Sequence, residues 1–304
     1  MQRLKFALLS MINPGAVKNR IFMALRHPES NKDTATQDLI RILMQQFIAQ
    51  VRVFTIMGKA GCGKGTISAW FIKEINKFLP EASRYETLVL GGYFRKILKI
   101  KKDPASVSPE DLQKYGSLAA FVTNEDLLDM KAGKMISDQT VINVITAVLK
   151  TEPYNSAFGL FFDGFPRNLE QVNILQSGKI LWQGKPLIVD LYVYSYIPKQ
   201  RDEVFKERAK MRIAQEIAKA ALEKRPTEIR EDDRPEVIEE RLVTFYQQTE
   251  PGIQYVLKNI KSKSYKIDGT TEGEIEDSIV LDRVKFLFGW MRKVRFNLIQ
   301  CSNL

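Results

Sequence analysis

The sequence holds 304 residues, 44% of them hydrophobic, with 46 Lys and Arg against 36 Asp and Glu for a net charge of +10. That length can bury a sizeable core in one large domain or two small ones, and no apolar run is long enough to cross a bilayer. Two cysteines, Cys62 and Cys301, exclude a disulfide framework or a cysteine zinc site, and the sole histidine, His27, leaves the chemistry to be done without imidazole.

The N-terminal "MQRLKFALLSMINPGAV" has a basic start but lacks the long apolar core of a secretory signal, so a cytoplasmic location is the expectation. Residues 1 to about 50 read as a helical extension, with "NRIFMALRH" and "TQDLIRILMQQFIAQ" as amphipathic pieces around the polar linker "HPESNKDTAT". Leu39, Ile42, Leu43 and Phe47 stand at helical spacing, which predicts packing on the main domain.

Next comes "VFTIMGKAGCGKGTISAWFIKEI", Val53 to Ile75. Its apolar start predicts a buried parallel strand. The pattern GxxxxGK follows at Gly58, Gly63 and Lys64, with Ala60, Gly61 and Cys62 between, then Gly65 and Thr66. Glycines let successive backbone N–H groups turn toward an anion, and a helix beginning near Lys64 adds its positive end. Lys64 would reach the β- and γ-phosphates of a nucleotide, and Thr66 would help hold Mg²⁺ directly or through water. Cys62 reads as a small residue filling a loop position, although the same amides and Lys64 are the surroundings that lower a thiol pKa.

Farther along, "ETLVLGG", "AFGLFFDG", "PLIVDLYVY" and "SYKIDGT" are strand candidates. Helical stretches over Glu110–Tyr115, Glu125–Ala132, Thr140–Lys150 and Pro235–Leu257 separate them. The alternation predicts an α/β fold in three layers, α-β-α, with a central parallel sheet. Ligands in such a sheet bind beyond the carboxyl ends of its strands, where the glycine loop and "FFDGFPRN" both fall.

Four further stretches follow the loop in order: "GGYFR", "KAGKMISDQTV", "FFDGFPRNLEQ" and "REDDRPEVIEERLVTFYQQTEPGIQYV". With "GKAGCGKGT" they make the chain resemble the adenylate kinase family of nucleoside monophosphate kinases over roughly residues 52 to 289, "KIDGT" included. The resemblance implies a P-loop kinase over 51–289, with an acceptor-binding insert at about 91–140 and a lid at about 205–233. The implied reaction moves the γ-phosphoryl group of MgATP reversibly to a nucleoside monophosphate. Such chemistry asks for positioning and charge neutralisation, which guanidiniums supply without histidine.

Carried onto matching positions, the family's roles give Lys64 and the loop amides to ATP, and Arg95 and Arg167 to the acceptor's phosphate. Gly91, Gly92 and Gly164 would let the acceptor approach the backbone, Gln171 would bond its base, and Lys134, Met135 and Ile136 would line its pocket. Asp163 would order Mg²⁺ through water. In the lid, Arg208 would stack on the ATP adenine and Arg212 would contact its phosphates, with Arg230 and Arg241 matching the remaining lid arginines. Arg208 and Arg212 lie one helical turn apart, so both leave one face.

The chain departs from the family in three places. Leu90 stands where adenylate-specific members carry a hydroxyl residue, and Asn168 suggests the pyrimidine-nucleotide branch, while Gln171 suits adenine. AMP is the expected acceptor, with CMP or UMP as the alternative. The lid segment "IAQEIAKAALEKRPTEI" has intermediate length and no cysteines; its alanines predict a helical, hairpin-like lid. The ends are extended. The basic amphipathic tail over 290–304 is expected to pack against the N-terminal helices rather than lie on an anionic membrane.

The expected partners are ATP and a nucleoside monophosphate, acting on a monomer. No nucleic-acid partner is expected, since no recognised reading motif is present. A nucleotide-binding regulatory protein with an impaired kinase site is the competing class, argued against by the retention of Lys64, Asp163, Arg167 and the lid arginines together.

Overall fold

The computed structural model describes position 48 and residues 51–77, 79–80, 84–227, 229, 234–260 and 264–268. The expected N-terminal extension (position 48 apart), the tail over 290–304, and Arg230, Asp232 and Asp233 lie outside the described residues.

In chain order the strands are β1 (Val53–Met57), β2 (Tyr85–Val89), β3 (Gly159–Asp163), β4 (Leu181–Trp182), β5 (Lys185–Pro186), β6 (Leu191–Tyr196) and β7 (Ser264–Asp268). The helices are α1 (Lys64–Asn76), α2 (Leu90–Lys102), α3 (Pro109–Tyr115), α4 (Asn124–Ala132), α5 (Asp138–Val148), α6 (Leu169–Gln176), α7 (Glu203–Leu222), α8 (Pro235–Thr244) and α9 (Glu250–Asn259). A π-helical turn, Phe245–Thr249, joins α8 to α9 without a break.

Five strands form one sheet in the order β2-β3-β1-β6-β7, and every pairing in it is parallel. The chain is therefore an α/β protein with a central parallel sheet and flanking helices. All five β1 residues are buried, as expected of a strand covered on both faces. Register aligns the strand ends: Ile56 and Val89 both pair with Asp163, and Met57 pairs with Tyr194. The loops leaving β1, β2, β3 and β6 thus open on one edge.

Two strand expectations need correction. In "ETLVLGG" the strand stops at Val89, and Leu90 already begins α2. Leu90, Tyr93, Phe94, Ile97 and Leu98 are buried at helical spacing, and that shared apolar face outweighs the two glycines. In "PLIVDLYVY" the sheet strand starts only at Leu191, while Lys185–Pro186 pairs antiparallel with β4. Asp190 accounts for the offset: its carboxylate accepts from the N–H groups of Arg52 (2.9 Å) and Val53 (3.0 Å), tying the turn before β6 to the start of β1.

A buried apolar cluster over the sheet gathers α2, α5, α6 and α9. A second, smaller cluster is built from Phe205, Ala209, Ile238 and Leu242, and it seats the first turns of α7 on α8. Beyond it, α7 runs out to 20 residues, about 30 Å at the usual helical rise. Arg225 closes its far end, bonding both carboxylate oxygens of Glu216 (2.6 and 3.2 Å) and Glu223 at 2.7 Å. The outgoing arm of the expected lid is thus one helix; most of the returning arm lies outside the described residues.

Candidate active site

The glycine loop leaves β1 at Gly58, whose φ is +143°. A Cβ there would meet the carbonyl oxygen of Ser195 on β6 at 2.3 Å, so only glycine fits the passage between the strands. The Ser195 hydroxyl in turn donates to the Cys62 carbonyl at 2.6 Å, which pins the floor of the loop. Lys64, first residue of α1, turns its ammonium back over the loop to the carbonyls of Gly58 (2.9 Å) and Lys59. Cys62 is fully buried, with its sulfur 3.5 Å from that ammonium.

The loop forms one wall of a cleft of about 810 Å³ at the carboxyl edge of the sheet. Lys64, Lys134, Arg95, Arg167, Arg208, Arg212 and Arg241 line it, and among the described residues Asp163 is the sole carboxylate that does. Such an excess of positive charge suits phosphate groups rather than a neutral ligand. Arg95 and Arg167 converge: a Cβ on Gly91 would stand 3.3 Å from the first guanidinium and 3.8 Å from the second. The Arg167 side chain also donates to the Gly164 carbonyl at 2.9 Å.

Across the cleft, Arg208 donates to the Gly61 carbonyl, and Arg212 lies beside the same glycine. Arg241 reaches in from α8 with its guanidinium 5.5 Å from the centre of the Phe205 ring. Gly58, Ala60, Gly61, Gly63, Gly65, Gly91, Met135 and Gly164 complete the expected residues on this lining.

Other expected site residues are placed differently. Cys62, Gly92, Ile136 and Gln171 are not on the cleft lining. Thr66 belongs to α1, but its side chain and the whole of Arg230 lie outside the described residues. Gln171 is 1% exposed, and its amide is engaged: the oxygen accepts from the Arg167 N–H at 2.7 Å, and the nitrogen donates to Asp138 at 2.7 Å. Asn168 donates to the same Asp138 oxygen at 2.8 Å and caps α6 by accepting from the Gln171 N–H. Leu90 is buried in the main cluster, so the expected hydroxyl position faces the core here.

Several residues of the site were not foreseen from the sequence. Thr87, Val89, Met211, Gln215, Thr244 and Thr249 also line the cleft. Asp126 is 2% exposed and holds the wall carrying Lys134 and Met135. Its carboxylate accepts from the N–H groups of Thr123 and Ser137 and lies 2.8 Å from the hydroxyls of Thr123 and Thr140. Burial pushes its pKa up, but these hydrogen bonds outweigh burial and hold it below the usual value. Thr123 and Asp126 form a reciprocal capping box, a pattern that "TNED" displays in sequence.

Lys59 is also 2% exposed. Its ammonium bonds the Asp202 carboxylate and the Tyr246 hydroxyl, 4.7 Å from the centre of the Tyr246 ring and 5.7 Å from that of Phe245. No local pattern signals a buried lysine in a glycine loop; its partners lie 143 and 187 residues away. Burial, then the bond to Asp202, raises the Tyr246 pKa, so the phenol stays protonated and donates to that carboxylate at 2.9 Å.

The chain is 29% identical to an adenylate kinase of Rickettsia bellii over 238 residues, spanning 75% of this chain and 96% of the relative. An adenylate kinase of Prochlorococcus marinus is 29% identical over 210 residues, 69% of this chain and 86% of the relative. The chain is a distant relative of the adenylate kinases. An adenylate kinase of Mycoplasma mycoides matches at 26% over 239 residues, 74% of this chain and 95% of that protein. No protein-family model matches the chain. Each of these relatives carries the name adenylate kinase, and the likeness to them is distant but spans most of their length.

Proposed function

We propose that the protein is a nucleoside monophosphate kinase that transfers the γ-phosphoryl group of MgATP to AMP, reversibly, to give two ADP. The observation that carries this reading is the division of charge within one cleft. Lys64, Arg208 and Arg212 gather at the glycine loop, while Arg95 and Arg167 converge at Gly91 on the other wall. Two phosphate-gripping sets in a single cleft fit a donor and an acceptor, whereas a simple nucleotide binder needs one.

Transfer breaks the bond from the γ-phosphorus to the β-bridging oxygen of ATP and forms one to a phosphate oxygen of the acceptor. The loop amides, Lys64 and the guanidiniums offset charge on the moving group, and α7 walls one side of the cleft against water as a rival acceptor. Asp163 ends β3 beside the loop, with one oxygen 3.7 Å from where a Cβ on Gly65 would stand. One carboxylate together with nucleotide phosphates suits Mg²⁺, which keeps several of its waters. Asp163 would hold that ion through its waters, and the charge it supplies would offset that of the phosphates.

Coupled turnover with ATP and each of AMP, CMP, UMP and GMP tests the reading, with AMP expected to be fastest. No turnover with any acceptor from folded protein refutes it, and tight ATP binding without transfer would instead indicate a regulatory protein. The Asn168 and Gln171 amides are both engaged by Asp138, so neither is a reason to favour a pyrimidine or a purine, and the panel decides between AMP and CMP or UMP. Lys64→Ala is expected to lower kcat at least 100-fold, on the order expected for loss of a preorganised charge, with an unchanged circular dichroism spectrum.

A further inference from the structure

Buried lysines are rare because an ammonium taken from water is costly unless it is fully paired. The pairing of Lys59 joins three separate parts of the chain. It comes from the glycine loop; Asp202 is the residue just before α7; Tyr246 belongs to the π turn. Lys199 adds a second cation 5.0 Å from the centre of the Tyr246 ring, so the phenol sits among two ammonium groups and one carboxylate.

The position of this cluster is what gives it a use. Gly58 and Ala60, on either side of Lys59, line the cleft, as does Phe245 beside Tyr246. Asp202 precedes by six and ten residues the two arginines that α7 sends into the cleft. Among the described residues the apolar cluster under α7 has four buried members, Phe205, Ala209, Ile238 and Leu242, and apolar contact alone specifies the rotation of a helix loosely. A charged, directional contact at the root supplies the missing constraint.

We propose that Lys59 is a positioning residue: held between Asp202 and Tyr246, it fixes the root of α7 and the π turn against the phosphate loop, so that Arg208, Arg212 and Arg241 meet the bound nucleotide in register. This rests on the kinase reading above. Lys59 itself touches no reacting atom in this scheme. Its effect runs through three arginines whose placement matters more to the transition state than to ground-state binding.

The test uses the full chain and three variants: Lys59→Met, which keeps the apolar stem; Tyr246→Phe, which keeps the ring; and the double variant. Each single change is expected to lower kcat about tenfold, the scale of a small misplacement in a reacting pair, while KM for the acceptor stays within about twofold. The double variant is expected to be no slower than Lys59→Met alone, because the two side chains act as one unit. An unchanged kcat per folded molecule, or losses that multiply in the double variant, would overturn the proposal. Should Lys59→Met fail to fold, Tyr246→Phe carries the test alone. If the unaltered protein turns over no acceptor, the kinase reading fails, and amide hydrogen exchange over residues 203–212 judges the positioning claim separately. Faster exchange in the variants there, with β1 and β3 unchanged, supports it; unchanged exchange over 203–212 refutes it.

Discussion

Replacing Asp126 with asparagine tests whether one buried carboxylate holds the wall of the cleft that carries Lys134 and Met135. The side chains are nearly isosteric, so the change exchanges charge and one acceptor for a donor. One oxygen faces the Thr123 N–H at 2.9 Å and the hydroxyls of Thr123 and Thr140, both at 2.8 Å; the other faces the Ser137 N–H at 3.0 Å. With the amide oxygen placed on the three-donor side, the amide nitrogen confronts the Ser137 N–H, and two donors are left facing each other. An orphaned buried donor costs roughly 1–3 kcal/mol, and bonds to a neutral acceptor are weaker than those to a charged one by about 1 kcal/mol each. A loss of about 4–6 kcal/mol is therefore expected near neutral pH, a large share of the stability of an ordinary domain. The pH dependence follows from the sign of the shift. The folded-state pKa of Asp126 lies below its unfolded value, so its contribution is complete above the unfolded pKa and fades as pH falls through the folded one. Urea denaturation at neutral pH and at several values below about pH 4 measures both effects. The gap between the unaltered chain and Asp126→Asn should be widest near neutrality and narrow on acidification. A gap under about 0.5 kcal/mol at neutral pH, or one that widens in acid, refutes the reasoning.

Three other outcomes follow from the geometry. Arg167→Ala should raise KM for the acceptor at least tenfold and leave ATP affinity within about threefold, as measured by steady-state kinetics and ATP titration. Phe205→Ala removes the largest side chain of the small cluster under α7; about 3–5 kcal/mol is at stake locally, so proteolysis within residues 203–222 should accelerate while β1 and β3 stay protected from amide exchange. Gly252→Ala places a Cβ 2.8 Å from the Asn168 backbone, and overpacking of about 1–3 kcal/mol outweighs the gain of up to about 1 kcal/mol in helix propensity. Its melting temperature should drop and its acceptor KM should rise, because Asn168 follows Arg167.

What could be read from the sequence was local. The glycine loop between a buried strand and a helix needs only its own residues to be recognised, and Lys64 indeed begins α1 directly after the loop. The ordering of strands and helices likewise follows from apolar runs separated by amphipathic stretches. Where the reading fell short, distant partners decided. "LGG" belongs to α2 because Leu90 fits under the same core as Tyr93 and Phe94. Gln171, an amide suited to a base, is held by Asp138 from a helix 33 residues earlier. Nothing beside Lys59 in the sequence signals that Asp202 and Tyr246, 143 and 187 residues away, will bury it. The π turn is marked in "VTFYQQTEPGI" by Pro251, which has no N–H to give the carbonyl four residues earlier, a break that the apolar spacing alone passes over.

That turn has a consequence for how the segment tolerates change in length. A π turn is an α-helix holding one surplus residue, and each residue advances the helical phase by about 100°. Residues 235–259 therefore form one rod read in two frames: the frame before Phe245 aims Arg241 into the cleft, and the frame after Thr249 seats Ile253 and Val256 in the core. Deleting one residue from 245–249 removes the surplus, and the two flanks can close into one α-helix with Arg241 still aimed into the cleft and Ile253 and Val256 still in the core. Adding a residue to the already widened turn has no such outlet: a further phase step of about 100° turns either Arg241 from the cleft or Ile253 and Val256 from the core. The rod therefore tolerates a shorter turn better than a longer one.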